Sequence, residues 1–189
     1  MLLDTPICDF GWQAPNFTLK NPLGESFSLA DSLGENGLLI MFICNHCPYV
    51  QRIAERLSQD TALLISEGIN VLAIMSNDYR YVAEDSPANM EKFAKQHGFL
   101  FPYLVDEDQR VGKAYGAVCT PDFFGFNKHG QLQYRGRLDN VKTNDAKMND
   151  ATNRSPELIN AMRQIAATGQ GPKEQIPSMG CSIKWSNTL

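Results

Sequence analysis

Long hydrophobic runs are missing from this sequence of 189 residues. No segment approaches the ~20 consecutive apolar residues that a membrane-spanning helix needs. The first residues, from Met1 to Pro6, also lack the basic and apolar regions of a secretory signal peptide. These two absences predict a cytoplasmic protein that does not associate with a membrane.

Clusters of basic residues are absent as well. The chain has 17 Lys and Arg against 21 Asp and Glu, which gives a formal net charge of −4. A nucleic-acid-binding face normally concentrates Lys and Arg in a patch or stripe, so we expect no nucleic-acid partner. The chain also has no glycine-rich nucleotide-binding loop, and we expect no bound organic cofactor.

Cysteine is scarce, and its pattern argues against a disulfide framework. In a cytosolic protein, a few widely spaced cysteines are more often catalytic, metal-binding or simply buried. The five form an odd set: Cys8, Cys44, Cys47, Cys119 and Cys181.

Two of these cysteines lie where a predicted strand meets a predicted helix. The apolar run 38–43 predicts a buried strand, and it is followed by Cys44-Asn-His-Cys47-Pro48. Proline suits the first helical position because it has no N–H to leave unpaired, so Cys47 is the predicted N-cap. The free N–H groups and the dipole at a helix N-terminus favour a thiolate, the nucleophilic form of cysteine. The motif therefore predicts sulfur chemistry. Apolar residues continue at helical spacing at Val50, Ile53, Ala54 and Leu57.

The remaining pattern predicts a single α/β domain with a mixed central sheet and helices on both faces. Strands are predicted at 69–75 and 101–105, and hairpins at the N-terminal segment 14–29 and at 123–134. Catalytic groups in such sheets gather at the carboxyl ends of the parallel strands. Further helices are predicted near 86–97, 109–115 and 155–168, a long polar loop at 139–154, and a docked C-terminal tail at 168–189.

Several motifs together resemble those of the thioredoxin-like superfamily. The segment Ala14-Pro-Asn-Phe17 resembles the entry motif of its peroxiredoxin-like branch, the alkyl hydroperoxide reductase/thiol-specific antioxidant (AhpC/TSA) family. Thr120-Pro121 lies where thioredoxin-like proteins carry a cis-proline that faces the reactive cysteine. The resemblance covers about residues 10–167, and Gly180-Cys-Ser-Ile-Lys-Trp185 is similar to a subgroup often named simply thioredoxin family proteins.

This resemblance implies a thioredoxin-like fold and specific roles for several residues. Pro121, if cis, leaves the backbone of Thr120 free to hydrogen-bond an extended substrate beside Cys47. An arginine holds the thiolate charged in peroxiredoxins, and position favours Arg135 over Arg137 for that role.

The chain also departs from its relatives around the cysteines. Cys47-Pro-Tyr-Val50 resembles a glutaredoxin-type motif in which Val50 replaces the second thiol. Peroxiredoxins carry Pro and Thr/Ser seven and three residues before their reactive cysteine, where this chain has Ile40 and Cys44. A hydroxyl that would bind peroxide is thus replaced by a thiol, which makes Cys44 the nearest candidate resolving thiol.

The predicted function is thiol–disulfide exchange, in which Cys47 attacks a disulfide of a protein or small molecule, or a peroxide. Cys44 then resolves the intermediate, and a cellular thiol reductant restores both thiols. His46 would favour a neighbouring thiolate if it were protonated. Alternative resolving thiols are Cys119, next to the proposed cis-proline, and Cys181 in the tail.

Two other functions stay open, as does the oligomeric state. The first is a peroxiredoxin-type peroxidase or antioxidant protein with Cys47 as the peroxide-reactive thiol. The second is a metal-binding protein in which thiolates hold zinc or copper. The ligands would be Cys44, Cys47, Cys119 and Cys181.

Overall fold

The structure is a computed structural model that describes residues 1–141 and 154–186. Most of the predicted polar loop at 139–154 and the end of the tail therefore lie outside the described residues. The strands are β1 (Leu2–Asp4), β2 (Thr18–Lys20), β3 (Ser26–Ser28), β4 (Leu38–Phe42), β5 (Asn70–Met75), β6 (Tyr103–Val105), β7 (Cys119–Thr120), β8 (Asp122–Phe126), β9 (Leu132–Tyr134) and β10 (Met179–Ser182). The α-helices are α1 (Leu29–Ser32), α2 (Pro48–Ser66), α3 (Pro87–His97), α4 (Arg110–Ala114) and α5 (Glu157–Thr168).

The central sheet has seven strands in the order β3-β2-β6-β5-β4-β8-β9. Strands β4, β5 and β6 are parallel, whereas the two hairpins, β2–β3 and β8–β9, join as antiparallel edges. All five residues of β4 are buried, which explains why its sequence is continuously apolar rather than alternating. The sheet is therefore mixed, as predicted, with β4 at its centre.

Helices cover both faces of this sheet. On one face, Met41 and Phe123 pack with α2, α3 and α5. On the other face, Phe42 and Phe124 pack with α1, the end of α4 and the N-terminal segment. Side chains of successive strand residues alternate between these two apolar layers, so neighbours in sequence lie on opposite sides of the sheet.

Helix α2 begins at the carboxyl end of β4, as the sequence predicts. Pro48 occupies the first helical turn and Cys47 is the N-cap residue. The helix buries one apolar stripe, including Val50 and Leu57, against the sheet. Hydrophobic burial of this stripe fixes the helix axis and thereby holds its first residue, and the thiol before it, at the edge of the sheet.

A second, three-stranded sheet was not predicted from the sequence. It has the order β1-β10-β7, and the tail strand β10 pairs antiparallel with both neighbours. Cys181 stands opposite Thr120 in this pairing. A Cβ atom at Gly180 would lie 2.0 Å from the Thr120 carbonyl oxygen, so only glycine lets β10 approach β7 this closely.

Among the residues that the structure describes, none of the helices combines the length and the apolar character needed to cross a membrane.

Candidate active site

Two buried thiols face the turn between β7 and β8. Neither Cys44 nor Cys47 has any exposed surface. The Cys44 Sγ lies 3.2 Å from the Thr120 hydroxyl oxygen, and the Cys47 Sγ lies 3.1 Å from the Thr120 carbonyl oxygen. The Thr120–Pro121 peptide bond is cis, as the sequence predicts. The fold thus brings four of the predicted site residues together.

Hydrogen-bond donors around Cys47 favour its ionised form. The Cys44 thiol is the strongest of them; the Thr120 hydroxyl and the backbone N–H groups of Val50 and Cys181 also face the sulfur. Burial and the Thr120 carbonyl, which accepts the thiol proton, act in the opposite direction. The stabilisation of the thiolate by these donors outweighs the effect of burial, and the pKa of the Cys47 thiol falls to about 4. Cys47 therefore has the electrostatic surroundings of a nucleophile.

The other four cysteines are free thiols whose burial raises the pKa. Burial raises the pKa of Cys119 to about 12 and those of Cys8 and Cys181 to about 11. Burial also raises the pKa of Cys44, which donates to its neighbour and stays protonated. These pKa shifts favour a thiolate at Cys47 and protonated thiols at the other four cysteines.

The turn between the two cysteines is held by a carboxylate, Asp85, that the sequence analysis missed. One oxygen of Asp85 accepts the backbone N–H groups of Asn45 at 2.8 Å and His46 at 3.1 Å. The other accepts the Asn77 amide at 2.8 Å and His46 Nδ1 at 2.6 Å. The Asp85 side chain is completely buried, so these four donors replace water as its solvation.

Asp85 and His46 shift each other's pKa. Burial alone would raise the pKa of Asp85, but hydrogen bonds from His46 and Asn77 outweigh it and lower the pKa. The hydrogen bond to Asp85 in turn raises the pKa of His46. His46 was predicted to favour a neighbouring thiolate if protonated. Its Nδ1 lies 2.6 Å from Asp85, and after that hydrogen bond the charge of Cys47 also contributes to its raised pKa. Its effect on the thiolate stays a prediction. Asp85 lies in a short polar segment, Ala83–Asp85, whose sequence contains no sign of burial.

The tail strand occupies the backbone edge that the sequence analysis expected to be free. Cys181 pairs with Thr120 in the β10–β7 ladder, so the Thr120 backbone is engaged within the chain. Asn77 connects this tail to the carboxylate described above, because its side-chain oxygen accepts the Lys184 N–H at 2.7 Å. The prediction of a free substrate-binding edge at Thr120 is therefore wrong for this conformation.

Arg135 does not lie beside the reactive thiol, which corrects the expectation from peroxiredoxins. Its guanidinium group donates to the buried Asp122 at 2.9 Å and stacks 4.4 Å from the centre of the Phe124 ring. Both partners lie on the sheet face opposite Cys47. Arg137, the other candidate, pairs with Glu157. Arg135 directly follows β9, whose last residue, Tyr134, packs in the cluster of the two cysteines, so Arg135 is directed to the other side of the sheet.

The four thiols proposed as a zinc or copper site do not form one cluster. Within residues 1–141 and 154–186, one group of three potential metal ligands lies close together, and it comprises Cys44, His46 and Asp85. Two of these three, His46 and Asp85, are already hydrogen-bonded to each other. The tetrathiolate site is therefore not supported by the arrangement of the cysteines.

A cleft of about 410 Å³ opens beside the cis-proline, between α2 and the tail. Its walls combine apolar and aromatic side chains with polar groups, one arginine and the two carboxylates of Asp4 and Asp139. Such a cleft suits an extended, partly apolar segment of another molecule. The lining includes Tyr49, Ile53, Pro121, Phe123, Arg137 and Met179.

Comparison with known sequences places these features in a family. The profile of the AhpC/TSA family matches residues 10–135. The thiol-disulfide oxidoreductase ResA of Halalkalibacterium halodurans is 26% identical over 129 residues, which cover 68% of this chain and 69% of that protein. A protein of Mycobacterium tuberculosis named "Putative peroxiredoxin" is 27% identical over 123 residues, covering 65% and 73% of the two chains.

Solved structures extend the similarity to the whole fold. An uncharacterized conserved protein from Geobacillus kaustophilus is 39% identical with a TM-score of 0.91, over 100% of this chain and 98% of that one. A DsbE-type thiol:disulfide interchange protein from Chlorobium tepidum is 22% identical with a TM-score of 0.56, over 68% and 84% of the two chains. The fold is therefore thioredoxin-like, which confirms the predicted fold class.

Replacing Asp85 by asparagine tests the carboxylate that holds the cysteine turn. We expect Asp85→Asn to lower the free energy of unfolding by about 2 kcal/mol, because buried donors lose a charged acceptor. The ion pair needs Asp85 ionised and His46 protonated. The contribution of this pair to the free energy of unfolding should be full from about pH 5 to 6.5. It should decline as pH rises through the raised pKa of His46.

Urea denaturation across this pH range, with NMR titration of His46, measures both effects. Asp108→Asn is the matched control, because Asp108 forms an exposed ion pair with Arg110. An unchanged His46 titration in Asp85→Asn would contradict the assigned pairing.

Replacing Arg135 by methionine separates its structural role from a role at the thiol. Arg135→Met leaves Asp122 buried without its partner, and we expect a loss of about 3 kcal/mol in the free energy of unfolding. Burial already raises the pKa of Asp122 to about 6. The loss should therefore shrink as pH falls, because Asp122 is then buried in its neutral form.

Chemical denaturation at neutral and mildly acidic pH measures this loss, and the pKa of Cys47 should stay unchanged. Arg137→Met is the control, since its pair with Glu157 is partly exposed and worth at most about 1 kcal/mol. A shifted Cys47 pKa in Arg135→Met alone would contradict our placement of Arg135.

Proposed function

This chain belongs to the AhpC/TSA family of oxidoreductases, and on that premise we propose that it is a thiol–disulfide oxidoreductase with Cys47 as nucleophile and Cys44 as resolving thiol. The observation that carries the proposal is the surroundings of the Cys47 sulfur. Cys47 is the N-cap residue of helix α2, its sulfur faces the Thr120–Pro121 turn, and the neighbouring Cys44 thiol is the first cause of its lowered pKa. A low-pKa thiolate with a second thiol at hand is what exchange through a mixed disulfide requires.

The first step is attack of the Cys47 thiolate on one sulfur of a substrate disulfide. The substrate S–S bond breaks, one substrate thiolate leaves, and Cys47 is joined to the other half as a mixed disulfide. Cys44 then attacks the Cys47 sulfur and expels the second substrate thiolate. The proton of the Cys44 thiol goes to a departing thiolate. The substrate is reduced by two electrons, and a Cys44–Cys47 disulfide forms.

A thiol reductant returns the protein to its starting state by the reverse exchange. The proposed substrates are disulfides of proteins or small molecules, and the cleft beside Pro121 offers a partly apolar surface for them. The predicted cytoplasmic location and the absence of nucleic-acid and membrane partners stay predictions from the sequence.

A peroxidase activity is the second candidate, favoured by the similarity to the mycobacterial protein named as a peroxiredoxin. Here the Cys47 thiolate would attack one peroxide oxygen, break the O–O bond and expel hydroxide or an alkoxide, which takes up a proton. The sulfenic acid formed on Cys47 would then condense with a second thiol to a disulfide with loss of water. The position of Arg135 on the opposite sheet face weighs against fast peroxide reduction. A comparison of initial rates with peroxide and with a disulfide substrate distinguishes the two activities.

Serine substitutions test the two assigned roles. Cys47→Ser should abolish disulfide reduction, because the hydroxyl is not ionised at neutral pH. Cys44→Ser should fail to form the Cys44–Cys47 disulfide, which peptide mapping by mass spectrometry should detect in the wild type after turnover. Cys8→Ser is the control, since Cys8 packs on the other face of the sheet, and its turnover should match that of the wild type. Wild-type turnover in Cys47→Ser would remove Cys47 as the nucleophile.

Thiolate titration tests the electrostatic basis of the proposal. Cys47 should ionise far below the usual cysteine pKa of ~8.5, because neighbouring donors stabilise its charge. The other four thiols should stay protonated through neutral pH, so ultraviolet absorbance should show a single thiolate in that range.

Cys44→Ala removes the strongest donor and should move the Cys47 ionisation to higher pH. Cys8→Ala serves as the matched control and should leave the pKa of Cys47 unchanged. A single-step titration that survives in Cys47→Ala would assign the thiolate to another residue.

A further inference from the structure

The reactive thiol is closed off from solvent by the chain's own tail. Cys47 has no exposed surface, and strand β10 pairs along the Thr120 edge beside it. The backbone N–H of Cys181 faces the Cys47 sulfur. An extended segment of another protein that paired with Thr120 would have to occupy the place that β10 already fills.

Residues 178–183 of the tail pack closely against the cis-proline turn. Gly180 approaches the Thr120 carbonyl so closely that any side chain would clash with it. The Ser178 hydroxyl donates to the Pro121 carbonyl at 2.8 Å, and the Ile183 N–H donates to the Val118 carbonyl at 3.1 Å. These contacts lie on both sides of Cys181 and fix it at the site.

Beyond Cys181, the tail continues across the site and is held by side chains from the sheet edge. Gln109 donates to the Lys184 carbonyl at 2.8 Å and accepts the Ser186 N–H at 2.6 Å. Gln109 has a φ of 61°, a backbone conformation that residues other than glycine rarely adopt. The chain thus accepts backbone strain at a residue whose side chain fastens the tail.

Cys181 occupies the position in this strand that faces the reactive sulfur. Its side chain packs against the apolar cluster that contains both buried cysteines, and burial followed by the nearby Cys47 sulfur raises the pKa of its thiol. Unlike Cys44 and Cys47, Cys181 is partly exposed. The tail therefore presents a cysteine to Cys47 in the way that a bound substrate would.

We propose that Cys181 is a third redox thiol, which forms a disulfide with Cys47, and that strand β10 is the internal occupant of the substrate-binding edge of β7. The inference rests on the proposed role of Cys47 as nucleophile. Cys181 would provide a second resolving route besides the one through Cys44. Strand β10 would act as a gate, meaning that it must move before a substrate can reach Cys47.

In this route Cys181 attacks the Cys47 sulfur of the mixed disulfide. A Cys47–Cys181 bond forms, the bond from Cys47 to the substrate breaks, and the departing substrate thiolate takes the Cys181 proton. An external thiolate then attacks the partly exposed Cys181 sulfur and expels the Cys47 thiolate. A second external thiol releases Cys181 and leaves as half of a new disulfide. Two reductant thiols are oxidised for each substrate disulfide reduced.

An aromatic disulfide whose released thiolate is coloured tests the bond directly in Cys8→Ser/Cys44→Ser protein. Attack by Cys47 should release one coloured thiolate, and attack by Cys181 should release a second, giving a twofold yield. Adding Cys181→Ser should halve this yield, whereas the control Cys119→Ser should leave it unchanged. Peptide mapping should find Cys47 joined to Cys181.

Two failures are distinguishable in this experiment. A single release in both proteins, with Cys47 holding the aromatic thiol, would overturn the role of Cys181 but leave Cys47 as nucleophile. A release that persists in Cys47→Ser would overturn the proposed function itself.

Gly180→Ala tests whether strand β10 blocks access to Cys47 by occupying the edge of β7. The added methyl group collides with the Thr120 carbonyl and should lift β10, so alkylation of Cys47 should be about tenfold faster because opening of the tail limits access. Leu2→Ala is the control, since Leu2 is an exposed residue of the neighbouring strand β1 and does not line the cleft. Equal alkylation rates in Gly180→Ala, Leu2→Ala and wild type, with all three folded by circular dichroism, would overturn the gate.

Discussion

Thr120 contacts all three cysteines of the proposed redox site. Its hydroxyl meets Cys44, its carbonyl meets Cys47, and its backbone pairs with Cys181 on the tail. These contacts are buried, and in the protein interior a hydrogen bond is electrostatically stronger than at the surface and an unpaired polar atom is costly. The positions of the two buried thiols, the cis-proline turn and the tail strand therefore depend on one another.

Asp85 supplies the second anchor of the site from an unrelated part of the chain. A buried carboxylate is tolerated only when hydrogen bonds replace its hydration, and here backbone N–H groups of the cysteine turn provide half of them. The turn cannot change shape without leaving Asp85 unsatisfied. Asn77 links this turn to the tail, because its side-chain amide donates a hydrogen bond to Asp85 and accepts one from the Lys184 N–H. The proposed gate and the thiol turn thus share a hydrogen-bond network.

The reactive thiols and the buried Arg135–Asp122 ion pair lie on opposite faces of the sheet. Cys44 and Cys47 lie on the face of α2, whereas the Arg135–Asp122 pair lies on the opposite face, beneath the N-terminal segment. An arginine that resembles a peroxiredoxin residue in sequence position is thereby a structural partner of a buried acid. This separation, together with the resolving thiols on the side of Cys47, favours disulfide exchange over peroxide reduction as the proposed activity.

Local sequence was enough to predict the β4–Cys44–Cys47–α2 unit from continuous apolarity of a buried parallel strand, proline at a helix start and helical spacing of the residues after it. The cis-proline at position 121 and the thioredoxin-like fold were predicted from the resemblance of several motifs to those of a known family. The burial of Asp85, the pairing of β10 and the side of the sheet that Arg135 faces were decided by tertiary structure. They depend on contacts between residues far apart in the chain, which no local period encodes. Cys181 was recognised in the sequence as a thiol, but only the folding of the tail onto β7 brings it to Cys47, because strand pairing across more than 50 residues is specified by the whole core and not by the strand itself.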